Sequence, residues 1–99
     1  MIKGEIVAKR VTELLGEGLE LEDVLYRVTK ENLHYLPRHL QDDPQEISAV
    51  LSAMQHYAHK VHPEFLSGAK IHDLVLLRLV PKTKTERYVQ QLNDEAMGD

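Results

Sequence analysis

Between Asp43 and Pro63 the chain carries a start signal and a stop signal for a helix with no breaker in between, and this stretch constrains the fold more than any other. Asp43-Pro44-Gln45-Glu46 places an aspartate at the N-cap, proline at the first helical position and glutamate two residues later, which answers the free backbone donors of a helix start. Pro63 disfavours helical angles at His62 and so ends the run. The spacing predicts a helix from Pro44 to about Val61, with Ile47, Val50, Leu51, Met54, Ala58 and Val61 as its core stripe.

The same punctuation divides the rest of the chain. From about Glu5 to Leu15, Val7, Val11 and Leu14 recur at helical period with Leu15 alongside, and Gly16-Glu17-Gly18 closes that helix because glycine accepts the left-handed backbone angle of a C-terminal cap. A second one-faced helix follows from about Glu20 to Asn32, with Leu21, Val24, Leu25 and Val28 on a narrow arc. Pro37 turns Leu33 to Gln41 into a bend with a short turn of helix. Ile71 to Val80 admits two readings. As a strand it would put Ile71, Val75, Leu77 and Leu79 on one face, but a lone strand needs a partner and no other segment offers one. We therefore expect a buried helix, with Ser67 as a possible start and Pro81 as its end. Thr83 and Glu86 have the spacing of a capping box for a last helix whose stripe is Tyr88, Val89, Leu92 and Ala96. The expectation is one all-α domain over residues 1–99, a small bundle of four to five helices.

Composition excludes several classes of function. Ninety-nine residues suit a single core, and a hydrophobic content of 42 % with 28 % charged residues is that of a soluble globular chain. Leu74 to Val80, interrupted by Arg78, is too short to cross a bilayer of about 30 Å. Met1-Ile2-Lys3-Gly4-Glu5 runs into a charged amphipathic pattern, unlike the apolar core of a secretory signal, so a cytoplasmic location is expected. With no cysteine, a thiolate nucleophile and a cysteine-based metal site are both out of reach. A net charge of −4 argues against a protein that works on nucleic acid. Its distribution is uneven: Glu13, Glu17, Glu20, Glu22 and Asp23 form an acidic block, and Arg78, Lys82, Lys84 and Arg87 a basic one. Opposed patches suit partner steering or self-association, and two solvated faces explain them equally well.

Six histidines are the residues best able to carry chemistry. His56, His59, His62 and the pair His72-Asp73 fall in one stretch and are the candidate metal ligands, for zinc or nickel. At about 100° per residue His56 points away from the core stripe, His59 lies on the polar flank and His62 sits where the helix stops. His56 and His59, three apart, can share an ion as a two-point surface site. A working centre needs a third ligand, from His62, His72, Asp73, His34 or His39; otherwise the rings are solvated histidines on a polar face. Acid–base and nucleophilic catalysis find little footing. The paired carboxylates lie in solvated runs, and no strained turn presents Ser48, Ser52 or Ser67.

Two short stretches resemble known families. His72-Asp73, with His39 and His56 upstream and Asp94 downstream, resembles the metal phosphohydrolases that use an adjacent His-Asp pair, which would imply a helical enzyme holding two metals. Alternatively, Asp73 favours the positive end of the following helix. Glu13-Leu14-Leu15-Gly16-Glu17-Gly18, with Leu33-His34-Tyr35 and Arg38-His39-Leu40, resembles the helix-turn-helix start of tetracycline-repressor-type regulators, which implies DNA binding through a basic face including Lys9, Arg10, Arg27 and Arg38. The chain departs from that pattern in its missing inter-helix glycine turn and in the acidic block where phosphates would approach. The reading favoured by the residues is non-enzymatic: a protein–protein interaction or accessory module able to form a homodimer, with no cofactor required. Its expected contact surface is Arg78, Lys82, Lys84, Arg87 and Tyr88, the basic block with a tyrosine anchor.

Overall fold

The computed structural model describes residues 3–66 and 69–81, and these form helices and turns with no strand. Four α-helices, α1 (Gly4–Gly16), α2 (Leu21–Asn32), α3 (Pro44–Val61) and α4 (Ala69–Leu79), are joined by short 3₁₀ turns at Leu33–Tyr35, Arg38–Leu40 and Pro63–Leu66. The chain is a small all-α bundle. Ile71 to Leu79 is therefore helical, not a strand, and Val80 is a bend just past the helix end. The helix expected after Thr83, and Ser67 as a start of α4, lie outside the described residues.

The helix ends follow from the residues that make them. At the start of α3 the Asp43 carboxylate accepts the Gln45 N–H at 2.9 Å, and Pro44 occupies the first position, where an N–H would have had no partner. At its end His62 turns extended (φ −130°, ψ 90°) ahead of Pro63, while its N–H still reaches the Ala58 carbonyl at 2.8 Å. The end of α1 is a Schellman cap. Gly18 takes φ +92°, its N–H donates to Leu15 O at 3.0 Å, and the Leu19 N–H reaches back to Leu14 O at 3.4 Å. Leu19 then packs against the core, as the hydrophobic partner of such a cap does.

The longest helix, α3, packs against the other three, and α2 in turn contacts α1 and α4. The stripes meet in one core: Val7, Val11 and Leu14 from α1, Val24, Leu25 and Val28 from α2, Ile47, Val50, Leu51, Met54 and Ala58 from α3, and Val75, Leu76 and Val80 at the far end. Each large side chain fully withdrawn from water contributes about 1.5–3 kcal/mol. Phe65, from the turn after α3, is as deeply buried as any of them, and its carbonyl accepts a 2.6 Å bond from the Gln55 amide.

Two expectations change. Val61 is 49 % exposed although it lies on the α3 stripe by angle. It borders a shallow groove where α1 offers only Gly4, Glu5 and Ala8, residues too small or too polar to cover it. And α4 is not buried all round: Val75, Leu76 and Val80 face inward, while Leu74 and Leu77 are 44 % and 53 % exposed.

Candidate functional site

The histidines on α3 and α4 point in separate directions. His56 is exposed, with its ring 5.9 Å from that of Tyr57. His59 donates through Nδ1 to the Pro63 carbonyl at 3.3 Å. His62 crosses to α1, where its Nε2 stands 3.0 Å from the Thr12 hydroxyl, and its Nδ1 is 3.7 Å from Glu64. The Thr12 hydroxyl donates its proton to Ala8 O at 3.1 Å, so it receives from the ring. His34 and His39 sit in the turns after α2, the former donating to Glu31 O at 2.8 Å. Among the described residues no three His, Asp or Glu side chains stand close enough to share a metal ion.

His72 has the most structured surroundings. Its Nε2 sits between the hydroxyls of Ser48 at 3.3 Å and Ser52 at 3.2 Å, and its Nδ1 lies 3.6 Å from Asp73. The order hydroxyl, imidazole, carboxylate is that of a nucleophilic triad, but the rest of such a site does not follow. Both serines lie inside α3, where the backbone N–H groups are taken up by the helix and cannot face an oxyanion. Asp73 is 72 % exposed, so nothing dry holds the imidazole in one tautomer. The chemistry available is a polar pin between α3 and α4. Asp73 is in the second turn of α4, since the helix begins at Ala69, and so does not act at its positive end.

The charged residues are also drawn into helix pairing. Arg10 on α1 grips Glu31 on α2 through two bonds, Nε to Oε1 at 3.2 Å and Nη2 to Oε2 at 3.0 Å, with Glu13 at 3.4 Å. The Glu31 bond is the main reason its pKa lies above the ordinary arginine value. Arg78 on α4 reaches the acidic block of α2: Nη1 donates to Glu22 at 2.7 Å and to Asp23 at 3.0 Å, and the guanidinium lies 4.2 Å above the Tyr26 ring. Its pKa is raised too, first by the Asp23 bond, against a smaller opposing effect of burial. One member of the basic block, Arg78, thus meets two members of the acidic block within one chain. Of the other contact residues expected, Lys82, Lys84, Arg87 and Tyr88 lie outside the described residues, as does Asp94. Between Gly18 and Tyr35 the chain makes only α2 and a 3₁₀ turn, with no second helix to enter a DNA groove, and Arg10 is held by glutamates.

The exposed apolar side chains fall into two regions. Ile6 and Tyr35 border a groove of about 350 Å³ beside the first turns of α1, and Val61 borders the other groove, of about 360 Å³, on the α3 side. Gly4 makes that second contact possible, because a Cβ there would come within 2.7 Å of the Tyr57 ring. The other region is the outward side of α4. At about 100° per residue, Asp73, Leu77, Lys70, Leu74 and Arg78 follow one another around an arc of about 140°, and all five are exposed. No family model matches the chain, and no curated protein or solved structure matches it either. Among the described residues, no helix is long and apolar enough to cross a membrane.

Proposed function

We infer that this protein works by protein–protein contact, as a small helical interaction or accessory module, and that the outward face of α4 is its contact surface. One observation carries the reading: Leu74 and Leu77, adjacent on the helix, are about half exposed while the rest of α4 is anchored by Val75, Leu76 and Val80 in the core. Two leucines side by side on the helix form an apolar patch too small to mark a contact site by area alone, so the reading rests on the charges that rim it. Here the rim is Lys70, Asp73 and Arg78. The polar residues that could have served chemistry support the same reading, because His62, His72 and Arg78 are occupied in joining helices.

The absence of cysteine gives a direct test. Leu77→Cys introduces a single thiol on the proposed surface. In dilute purified protein it should react freely with a maleimide, and in concentrated protein or in extract of the source cells the reaction should slow several-fold as the face is covered. Equal reactivity in all three settings, or a thiol already shielded in the dilute monomer, would remove the basis for this surface.

A further inference from the structure

The arrangement of charge around Leu74 and Leu77 identifies the occupant, and this step rests on the reading of α4 just given. Written as a heptad, Asp73 takes position g, Leu74 a, Leu77 d and Arg78 e. That is the order of a two-stranded parallel coiled coil: an apolar a/d seam, with g and e flanking it on opposite sides. In a parallel pair related by a two-fold axis along the helices, each g residue faces the e residue five positions on in the other strand. Asp73 of each copy then meets Arg78 of the other. In an antiparallel pair like edges meet, which sets Asp73 against Asp73 and Arg78 against Arg78.

The side chains are free to do this. Asp73 is 72 % exposed and, among the described residues, its one close neighbour of opposite character is the His72 ring at 3.6 Å. Among the described residues Arg78 engages Glu22 and Asp23 through Nη1, which leaves its Nε and Nη2 donors for a further carboxylate. We propose that the outward face of α4 binds a second copy of this chain, in a parallel two-fold pair in which Leu74 and Leu77 pack against their counterparts and Asp73 of each copy pairs with Arg78 of the other. The seam is short. Lys70 holds the preceding d position and Pro81 the following a position, so the pair spans one heptad of an 11-residue helix. Such a contact is below the size of a standard stable interface and belongs among weak, concentration-dependent ones.

Sedimentation equilibrium over micromolar to millimolar concentrations should show a reversible monomer–dimer equilibrium. Leu77→Glu should abolish it, Asp73→Lys should weaken it roughly tenfold by setting Lys against Arg78, and Lys70→Leu should tighten it by extending the seam. Each substitution is at an exposed position, and circular dichroism confirms that the fold is kept. Orientation is read by a short thiol cross-linker. In the parallel pair Lys70→Cys links to its own counterpart. In an antiparallel pair centred between Leu74 and Leu77 the two sites would lie roughly 16 Å apart along the axis, at 1.5 Å per residue, and would not link. A monomer at all concentrations, a dimer indifferent to Leu77→Glu, or a Lys70→Cys variant that fails to link while Leu74→Cys does would each overturn the proposal. A strict monomer whose Leu77→Cys thiol is still protected in extract would refute only the second copy as occupant and leave the contact surface standing.

Discussion

Thr29 is the one fully buried polar side chain among the described residues, and its hydroxyl has no hydrogen-bond partner there. A threonine inside a helix ordinarily donates to the carbonyl four residues back, as Thr12 does to Ala8 at 3.1 Å. Thr29 does not, and it sits on the α2 face that carries Val24, Leu25 and Val28 into the core. Replacing it with valine keeps the branched shape and removes the unpaired group. An unsatisfied buried hydroxyl costs about 1–3 kcal/mol. Against this stand a packing mismatch of up to about 1 kcal/mol and a negligible change in helix propensity, since valine and threonine rank close together.

The expected net effect of Thr29→Val is a stabilisation of about 1–2 kcal/mol. For a domain of this size each kcal/mol moves the melting temperature by about 4–8 °C, so the rise should be plain in a thermal scan followed by circular dichroism. Urea unfolding should show a higher midpoint at an unchanged slope, which places the gain in the folded state's packing and not in its compactness. Thr29→Ser is the control: it keeps the hydroxyl, removes the methyl and should destabilise. If Thr29→Val leaves the midpoint unchanged or lowers it, the hydroxyl is satisfied in solution and the reasoning fails.

Asp43→Ala should cost about 1 kcal/mol of unfolding free energy, the usual loss for an N-cap whose side chain bonds the second helical N–H, and Asp43→Asn should recover most of it in the same urea assay. Gly4→Ala, at the first position of α1 where only part of the interior propensity gain of about 1 kcal/mol applies, should gain nothing or destabilise because the new Cβ meets the Tyr57 ring at 2.7 Å; in a Tyr57→Ala background the same change should be mildly stabilising. Calorimetric titration with zinc or nickel should show no stoichiometric tight site, since His62 and His72 are occupied with hydroxyls of other helices; a one-to-one signal lost in His56→Ala would establish the histidine site instead. Arg78→Met should lower stability by less than about 1 kcal/mol in moderate salt, because the ion pairs it loses are at the surface; a loss of several kcal/mol would show a clamp far stronger than its exposure implies.

What could be read from the sequence is what local chemistry decides. Asp43-Pro44 and His62-Pro63 bound α3, and Gly16 to Gly18 close α1, because caps depend on the residues at the cap. The apolar stripes were legible for the same reason, as was the outward direction of His56. What was not legible depends on the neighbour across the gap. Val61 has the right angle to be buried, but burial also needs something to cover it, and α1 brings a glycine, a glutamate and an alanine to that end. Phe65 carries no periodic signal, since it lies in a four-residue turn, yet the turn places it under α3. Arg78 reads as part of a basic surface until α2 lies beside α4 and brings Glu22 and Asp23 within 3.0 Å of it.

The same dependence explains why the short motifs misdirect. His, Ser, Asp and Arg are the residues of catalysis and metal binding, and they are also the residues that join two helices at a half-exposed seam, where one hydrogen bond orients a neighbour without the cost of burying a charge. In this bundle His62 joins α1 to the end of α3, His72 joins α3 to α4, Arg10 joins α1 to α2 and Arg78 joins α2 to α4. Once these pins are in place the inward side of α4 is settled, and with it the outward side. The segment Ile71 to Val80 is apolar almost all round because apolar residues lie on two of its sides: one packs on α2 and α3, and the other, Leu74 and Leu77 between Asp73 and Arg78, is exposed and has no partner among the described residues. A helix needs one apolar stripe to fold against its own chain, so the second stripe is the part of α4 that packing among the described residues does not explain.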